Sequence, residues 1–389
     1  MNDKRNIPVL SVNGKRFDGW TSAQIDKSLY QMTGAFGLSV TDKYPGHGDK
    51  WDFKLGDKCV VEINGQSIIK GYIEDIPIAY DSESHSIQVG GRDKTADLVD
   101  CSFVKTKVKS VKPKSFWETS NETEFSGQSL LSIVKALCKP YNINVVVDSS
   151  VTDVVKYIVP ESFKANEGDV VFDLIISLCN AKAILPVSYG DGKLTLTRAG
   201  TVAKASDALE FGVNIISAAM EQSNKDRFQK YIVKGQGVGK DAKSLFATTN
   251  PSGEAWDNVI LRYRPMVFFL ETAGDLRRCK DRASWEARNR AGKSRSIEYI
   301  VQGWTQTNGK VWPLNSLVNV KDDLLGVHKE LLIASTSFTL DVDGGSVTSI
   351  NVVDPETFKL IETPIEGIAT KFDWSKYKRV LTETEEIDN

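Results

Sequence analysis

From Leu55 to Asp100 the chain reads LGDKCVVEINGQSIIKGYIEDIPIAYDSESHSIQVGGRDKTADLVD, a stretch that admits little besides a meander of short strands. Cys59, Val61 and Ile63 alternate with Lys58, Val60 and Glu62, the period of a strand with one buried face. Asn64-Gly65 supplies a tight turn because both residues tolerate positive φ, and a second strand starts over Ile68–Ile73. A polar loop, Asp81–Ser84, precedes a third strand at Ser86–Val89. The far end of the chain repeats this order between Pro313 and Asp354. A Leu/Asn start leads to alternating Val318 and Val320, then strands at Leu331–Ala334 and Ser337–Leu340. A turn at Asp343-Gly344-Gly345 and a last strand at Val347–Val352 complete it. Two copies of one β-module are therefore expected.

The rest of the chain arranges itself around these copies. Strands at Ile7–Val12 and Phe36–Val40, with an imperfectly alternating Ala23–Met32, extend the first module to residues 1–100. The basic, Pro-containing Val104–Lys114 reads as a linker. Beyond it the period changes. Leu130, Leu131, Val134 and Leu137 fall at helical spacing after a possible cap at Ser126, and a strand follows at Ile143–Val147. A second helix, Asp169–Cys179, precedes strands at Ala183–Tyr189 and Leu194–Thr197, so 101–200 reads as a small α+β domain. Tyr231-Ile232-Val233-Lys234-Gly235 echoes Tyr299-Ile300-Val301-Gln302-Gly303, which suggests neighbouring strands of one sheet. The second module is then discontinuous, 201–239 plus 296–360, around an insertion at 240–295, with an acidic extension at 361–389. The fold class expected is α+β and β-rich.

Composition narrows the function. The 389 residues carry 49 Lys and Arg against 51 Asp and Glu, so no global field favours nucleic acid or anionic lipid. Five scattered cysteines without a CxxC argue against a disulfide framework or a zinc site and suit a reducing compartment. The start MNDKRNIPVLSVNG lacks the apolar core of a signal peptide, and no run approaches the roughly 18 apolar residues of a membrane span. A soluble protein made without an export signal is expected, with no membrane insertion.

Catalytic motifs fail in detail. His47, His85 and His328 show no metal spacing. In Gly235-Gln236-Gly237-Val238-Gly239-Lys240-Asp241 the first glycine of a phosphate loop would fall on Lys234, and Asp241 replaces the magnesium-binding Ser or Thr. Asp341-Val342-Asp343-Gly344-Gly345 lacks the further ligands of a calcium loop. Ser126, Ser162 and Ser284 lie in no nucleophile elbow. Neither enzyme activity, cofactor nor metal is expected.

A helix over Asp275–Arg295 is more informative. Leu276, Cys279, Ala283, Ala287 and Ala291 share one face, Arg277, Arg278, Arg282 and Arg288 surround the rest, and Trp285 lies nearly opposite the stripe. Such a helix is either a solvated charged surface or one with a second contact face. In the second case Trp285, Arg278, Arg282 and Arg288 are the candidate interface residues, of the types favoured at hot spots.

Several short motifs, taken in order, resemble the baseplate hub proteins of Mu-like contractile phage tails and of related prophage and tailocin particles. They are Asp18-Gly19-Trp20, Ala35-Phe36, Gly71-Tyr72-Ile73, Gly91-Arg92-Asp93-Lys94 and Ala96-Asp97-Leu98-Val99-Asp100. Val311-Trp312-Pro313-Leu314-Asn315, Leu317-Val318, Leu331-Leu332-Ile333 and Asp354-Pro355-Glu356 follow. The resemblance is also to the hubs of larger myoviruses and the hub half of type VI secretion spikes. It implies a homotrimer whose subunits each carry two tube-like antiparallel β-barrels. The resulting pseudo-six-fold ring would adapt the hexameric tail tube to a trimeric central spike. It implies a virion location and no catalytic residues or stable sequence-specific nucleic-acid binding. The reading from another class is a tail-associated cell-wall hydrolase or carbohydrate-binding module, which would need a carboxylate pair in a cleft or an aromatic-lined groove.

Overall fold

The computed structural model describes residues 6–41, 53–80, 85–104, 125, 127–159, 163, 165–235, 251–270, 276–341 and 344–361. The expected loops at Tyr44–Lys50 (with His47) and Asp81–Ser84, most of the linker after Val104, the glycine run at 236–241, Ser126, Ser162, Asp343 and the extension beyond 361 lie outside these.

Eight strands form the first module: β1 (Pro8–Val12), β2 (Lys15–Phe17), β3 (Ser22–Ser28), β4 (Ala35–Thr41), β5 (Lys58–Ile63), β6 (Gln66–Asp75), β7 (Ile78–Tyr80) and β8 (His85–Asp93). Asn13-Gly14 and Asn64-Gly65 turn their hairpins with positive φ at both residues, as their composition demands. The alternating faces of β1 and β5 bury Leu10, Val12, Cys59, Val61 and Ile63 in one core with Ile25, Leu38, Ile73 and Val89. A short helix, α1 (Ala96–Asp100), ends the module.

The α+β domain follows with α2 (Leu130–Cys138), β9 (Asn144–Val147), α3 (Val171–Asn180), β10 (Leu185–Val187) and β11 (Lys193–Thr197). Ser129 caps α2, accepting from the Ser132 amide at 3.2 Å. The three strands order as β10-β11-β9, with β9 parallel to β11. The apolar stripes of both helices share one core with Leu194 and Leu196.

After β12 (Leu209–Glu210) and β13 (Ile215–Gln222) come β14 (Lys230–Lys234), β15 (Ser252–Trp256), β16 (Pro265–Phe269) and the helix α4 (Leu276–Lys293). The chain then makes β17 (Arg295–Gln302), β18 (Leu317–Asp322), β19 (Val327–Asp341) and β20 (Gly345–Val353). The duplication is explicit in the strand order. The first module runs β3-β4-β8-β6-β5, the second runs β13-β17-β20-β19-β18, and every neighbouring pair is antiparallel. Details repeat as well. A bulge falls between Ile73 and Asp75 of β6 and between Ile333 and Ser335 of β19. Gly56 and Asn315, each one residue past a leucine, both have positive φ, 83° and 60°. Each donates its amide to the residue before the bulge, Ile73 or Ile333.

Two expectations are corrected. Leu331–Ala334 and Ser337–Leu340 are not separate strands but parts of the 15-residue β19, which the bulge at Ala334 bends without breaking. The Tyr231 and Tyr299 segments do not share a sheet. Tyr299 sits in the second module's core. Tyr231 lies in a separate sheet, β15-β14-β16, and is buried with Cys279 and Ala283 of α4. An alternating pattern specifies one buried face and leaves open which core receives it.

The two modules join edge to edge. The first half of β19 pairs with β18, and its second half, Ser335–Leu340, pairs antiparallel with Ser28–Ala23 of β3. The result is one 14-stranded sheet. Among the described residues no pairing closes either module into a barrel, because β3 spends its second edge on β19 rather than on β1 or β2. One face of the joint is buried: Ile25 and Phe338 are paired and fully buried, and the Trp304 ring meets Phe338 edge-on at 6.3 Å. The Trp304 indole donates to the carbonyls of Thr339 and Val347.

Candidate functional site

Chemistry-bearing groups are dispersed. Among the described residues no three His, Cys, Asp or Glu side chains gather to hold a metal ion, and no helix is long and apolar enough to cross a membrane. His328 pairs with Asp323 at 3.1 Å on the surface. Burial pushes the thiols of Cys59 and Cys138 up to about 12, the opposite of what a nucleophilic cysteine needs. A cleft of about 450 Å³ lies between β17, β20 and the start of the β14 unit. Its one carboxylate, Asp354, receives the Lys329 ammonium at 2.9 Å, and its Arg227 forks onto Asp257 at 2.7 and 3.1 Å. The cleft therefore lacks the second carboxylate of a glycosidase.

What the structure concentrates instead is the means of holding its units together. Asp93, fully buried, accepts from the amides of Gly34 (2.9 Å) and Thr95 (2.7 Å), from the Thr95 hydroxyl, and from the Ser188 hydroxyl of the α+β domain (2.8 Å). Burial raises its carboxyl above the usual range, and the four donors work against that rise. Beside it the Lys70 amide donates to the Gly190 carbonyl at 2.7 Å. A Cβ on Gly190 would stand 2.0 Å from the Ile68 carbonyl oxygen, so only glycine lets the β10–β11 turn lie on β6. On the other side of that hairpin Asn315 holds the second module. Its amide group donates to Tyr189 Oη (3.1 Å) and the Arg198 carbonyl (2.9 Å), and its oxygen accepts from the Gly200 amide (2.8 Å). The Gly91–Lys94 and Val311–Asn315 motifs are thus joints between units. Gly71 serves packing within a module: a Cβ there would lie 1.8 Å from the Arg92 carbonyl oxygen.

The candidate interface residues on α4 meet different surroundings. Cys279 and Ala283 are buried against the β14 sheet, as the stripe predicts, but Leu276 at its start is exposed. The opposite face is engaged by the same chain. Trp285 Nε1 donates to the Lys359 carbonyl at 2.5 Å, Arg288 pairs with Glu356 at 3.2 Å, and the Arg282 guanidinium stacks 4.8 Å from the Trp285 ring. Arg278 is exposed near the start of the helix. Residues that the pattern did not single out complete the contact. Asn289 donates to the carbonyls of Glu356 and Thr357, Gly292 lies against Thr357, and buried Glu286 receives both Arg282 and Arg290. A polar residue inside a charged helix carries no periodic signal, which is why sequence reasoning passed over them.

Among the described residues β13 pairs only with β17 and is exposed along most of its length, and β7 pairs only with β8, its Ile78 67% exposed; β2 and β12 likewise have one partner each. Phe211 and Val213 just before β13 and Ile216 within it add apolar surface.

Comparison with known proteins agrees with this picture of a structural component. Residues 8–93 match the family described as Mu phage baseplate assembly protein GpP-like, N-terminal. Residues 118–198 match the baseplate hub protein gp44-like second domain, and 276–361 the fourth domain of Mu phage baseplate assembly protein GpP. The baseplate hub protein gp44 of Escherichia phage Mu is 29% identical over 370 residues, covering 93% of this chain and 90% of that protein. The 43 kDa tail protein of prophage MuSo2 from Shewanella oneidensis is 32% identical with a TM-score of 0.75, over 91% of this chain and 100% of that one. A tail protein from Neisseria meningitidis MC58, 19% identical, shares the fold with a TM-score of 0.71, over 92% of this chain and 99% of that one.

Proposed function

The chain belongs to the baseplate hub family of Mu-like phage tails, and from that premise we propose that it acts as a non-enzymatic, homotrimeric adaptor between a six-fold tail tube and a three-fold central spike. The problem it answers is one of symmetry. Three copies of a chain offer three copies of any single surface, which cannot match six tube subunits. A chain carrying the same five-stranded unit twice offers six similar units in the ring while keeping three-fold symmetry elsewhere. The observation that carries this reading is the repeated order β3-β4-β8-β6-β5 and β13-β17-β20-β19-β18, joined in one sheet.

In this reading residues 6–100 and the second module, 201–222 plus 295–353, are the paired ring units, curled in the ring toward tube-like barrels. The α+β domain braces both through Asp93 and Asn315. The insertion, β14 to α4, is a separate appendage on the ring. Trp285, Arg282 and Arg288 fix its helix against residues 356–359 and so set its direction. The test is electron microscopy of the purified chain with its tube and spike proteins, beside a mass measurement in solution. Three-chain rings bridging both partners are expected. A stable monomer that joins neither and cleaves peptidoglycan would overturn the proposal.

A further inference from the structure

The joint between the two modules has an unfilled counterpart. Matching the modules by their bulges and pairings places β3 on β13, so that Ser22–Ser28, SAQIDKS, corresponds to Ser217–Ser223, SAAMEQS. The two segments share serine at both ends, Ala23 with Ala218, an aliphatic Ile25 or Met220, and an acid, Asp26 or Glu221. The same matching places the second half of β19, Ser335–Leu340, on Asp75–Tyr80, the end of β6 and all of β7. Within the chain β3 and β19 are paired, and on one face of that joint Ala23, Ile25, Lys27, Thr336 and Phe338 are buried. Their counterparts β13 and β7 have no partner on the corresponding edges among the described residues. Phe338 is fully buried, whereas its counterpart Ile78 is largely exposed.

We infer that β13 of one copy pairs antiparallel with β7 of the next, repeating between chains the joint that β3 and β19 make within one. The register follows from the internal joint. Phe338 faces Ile25, so Ile78 faces Met220. Thr339 faces Gln24, so Ala79 faces Ala219, and Ser337 faces Asp26, so Pro77 faces Glu221. Two of these pairs are apolar or small, the third sets Glu221 against Pro77, and none brings two like charges together. Pro77 does not obstruct the pairing. Its carbonyl accepts from Gln88 at 2.9 Å, and in an antiparallel ladder one residue's N–H and C=O point the same way. The donor that proline lacks would have faced β8, not the open edge. The contact is head to tail, since each copy spends one β13 and one β7, so repetition gives a closed ring where the rotation between copies closes and an open filament where it does not. That the ring closes at three rests on the function proposed above. Six equivalent joints would then run around it, three within chains and three between. The pairing also removes two open edges that would otherwise invite unspecific strand addition.

The test is a full-length chain with Ile78→Cys and Met220→Cys, oxidised in air and run on a denaturing gel without reductant, beside a mass measurement of the unmodified chain. Facing residues of an antiparallel pair lie about 4.5–5.5 Å apart at Cα, within reach of a disulfide. Inside one chain the two positions are seven strand spacings apart along the sheet, a contour of about 34 Å, and only a bond between copies raises the mass on the gel. Expected are reducible dimers and trimers from the double variant and monomers from either single one. Ile78→Cys with Ala218→Cys, one diagonal step off register, should link less. A particle of three times 43.0 kDa without the Ile78–Met220 bond would overturn this joint and leave the trimer standing. A monomeric native chain would overturn both, and equal linkage at Ala218 would refute the register.

Discussion

Lys27 lies on β3 at the joint, facing Thr336, and is only 8% exposed. Its ammonium stands 5.7 Å above the Phe338 ring, and burial lowers its pKa from 10.5 to about 8. A lysine depressed in the folded state contributes stability that is present above pH 10.5 and lost as pH falls through 8. The full difference, 2.5 pKa units, corresponds to roughly 3 kcal/mol, present as a cost near neutral pH. Replacing Lys27 with Met keeps the length of the stem and removes the buried charge. It also forfeits a cation–π contact worth about 0.5–1 kcal/mol. Lys27→Met should therefore stabilise the chain by about 2 kcal/mol at pH 7.5, and that advantage should shrink to under about 1 kcal/mol at pH 10 and disappear above 10.5, where the lysine is neutral in the unfolded chain as well. Urea unfolding of both proteins at the two pH values, followed by tryptophan fluorescence, measures this. Tyr30 and the other groups that titrate in alkali are common to both chains and cancel in the difference. Equal gains at both pH values, or a loss at pH 7.5, would refute the reasoning.

Asn315→Ala leaves Tyr189, the Arg198 carbonyl and the Gly200 amide without their partner and puts a Cβ-bearing residue without a polar side chain at φ 60°; a loss of about 3 kcal/mol or more is expected in thermal or urea unfolding. Gly71→Ala should yield little folded protein in a solubility assay, because its Cβ would meet the Arg92 carbonyl. Gly37→Ala on β4, with nothing within 4 Å, should fold normally. Trp285→Ala should free the chain around Lys359 and raise its rate of limited proteolysis several-fold without changing the β13–β17 pairing; an unchanged rate would show that the indole does not hold this segment.

Much of the fold was legible because alternation and turn chemistry act locally. Asn13-Gly14 and Asn64-Gly65 have few other conformations to adopt, and β5, α2 and α3 each display one apolar face. What was not legible is which strand sits beside which. Tyr231 and Tyr299 carry the same pattern into different cores. Leu331, Leu332, Ile333 and Ala334 are all buried, which masks the change of phase that the bulge introduces within β19. The likeness of SAQIDKS to SAAMEQS was present in the chain, but seven residues acquire meaning only once strand order aligns them. The face of α4 that holds the C-terminal turn depends on Asn289 and Gly292, whose roles are set by a segment some 65 residues away.

The pairing of β3 with β19 also sets a timetable for synthesis. Residues 22–28 leave the ribosome early, and their partners at 335–340 come about three hundred residues later. At roughly 5–20 residues per second the outer edge of β3 waits between about 15 and 60 s for its strand. Through that interval the nascent first module presents an unpaired edge to every other nascent copy. At neutral pH the edge carries the ammonium of Lys27, which stays hydrated until β19 arrives to bury it.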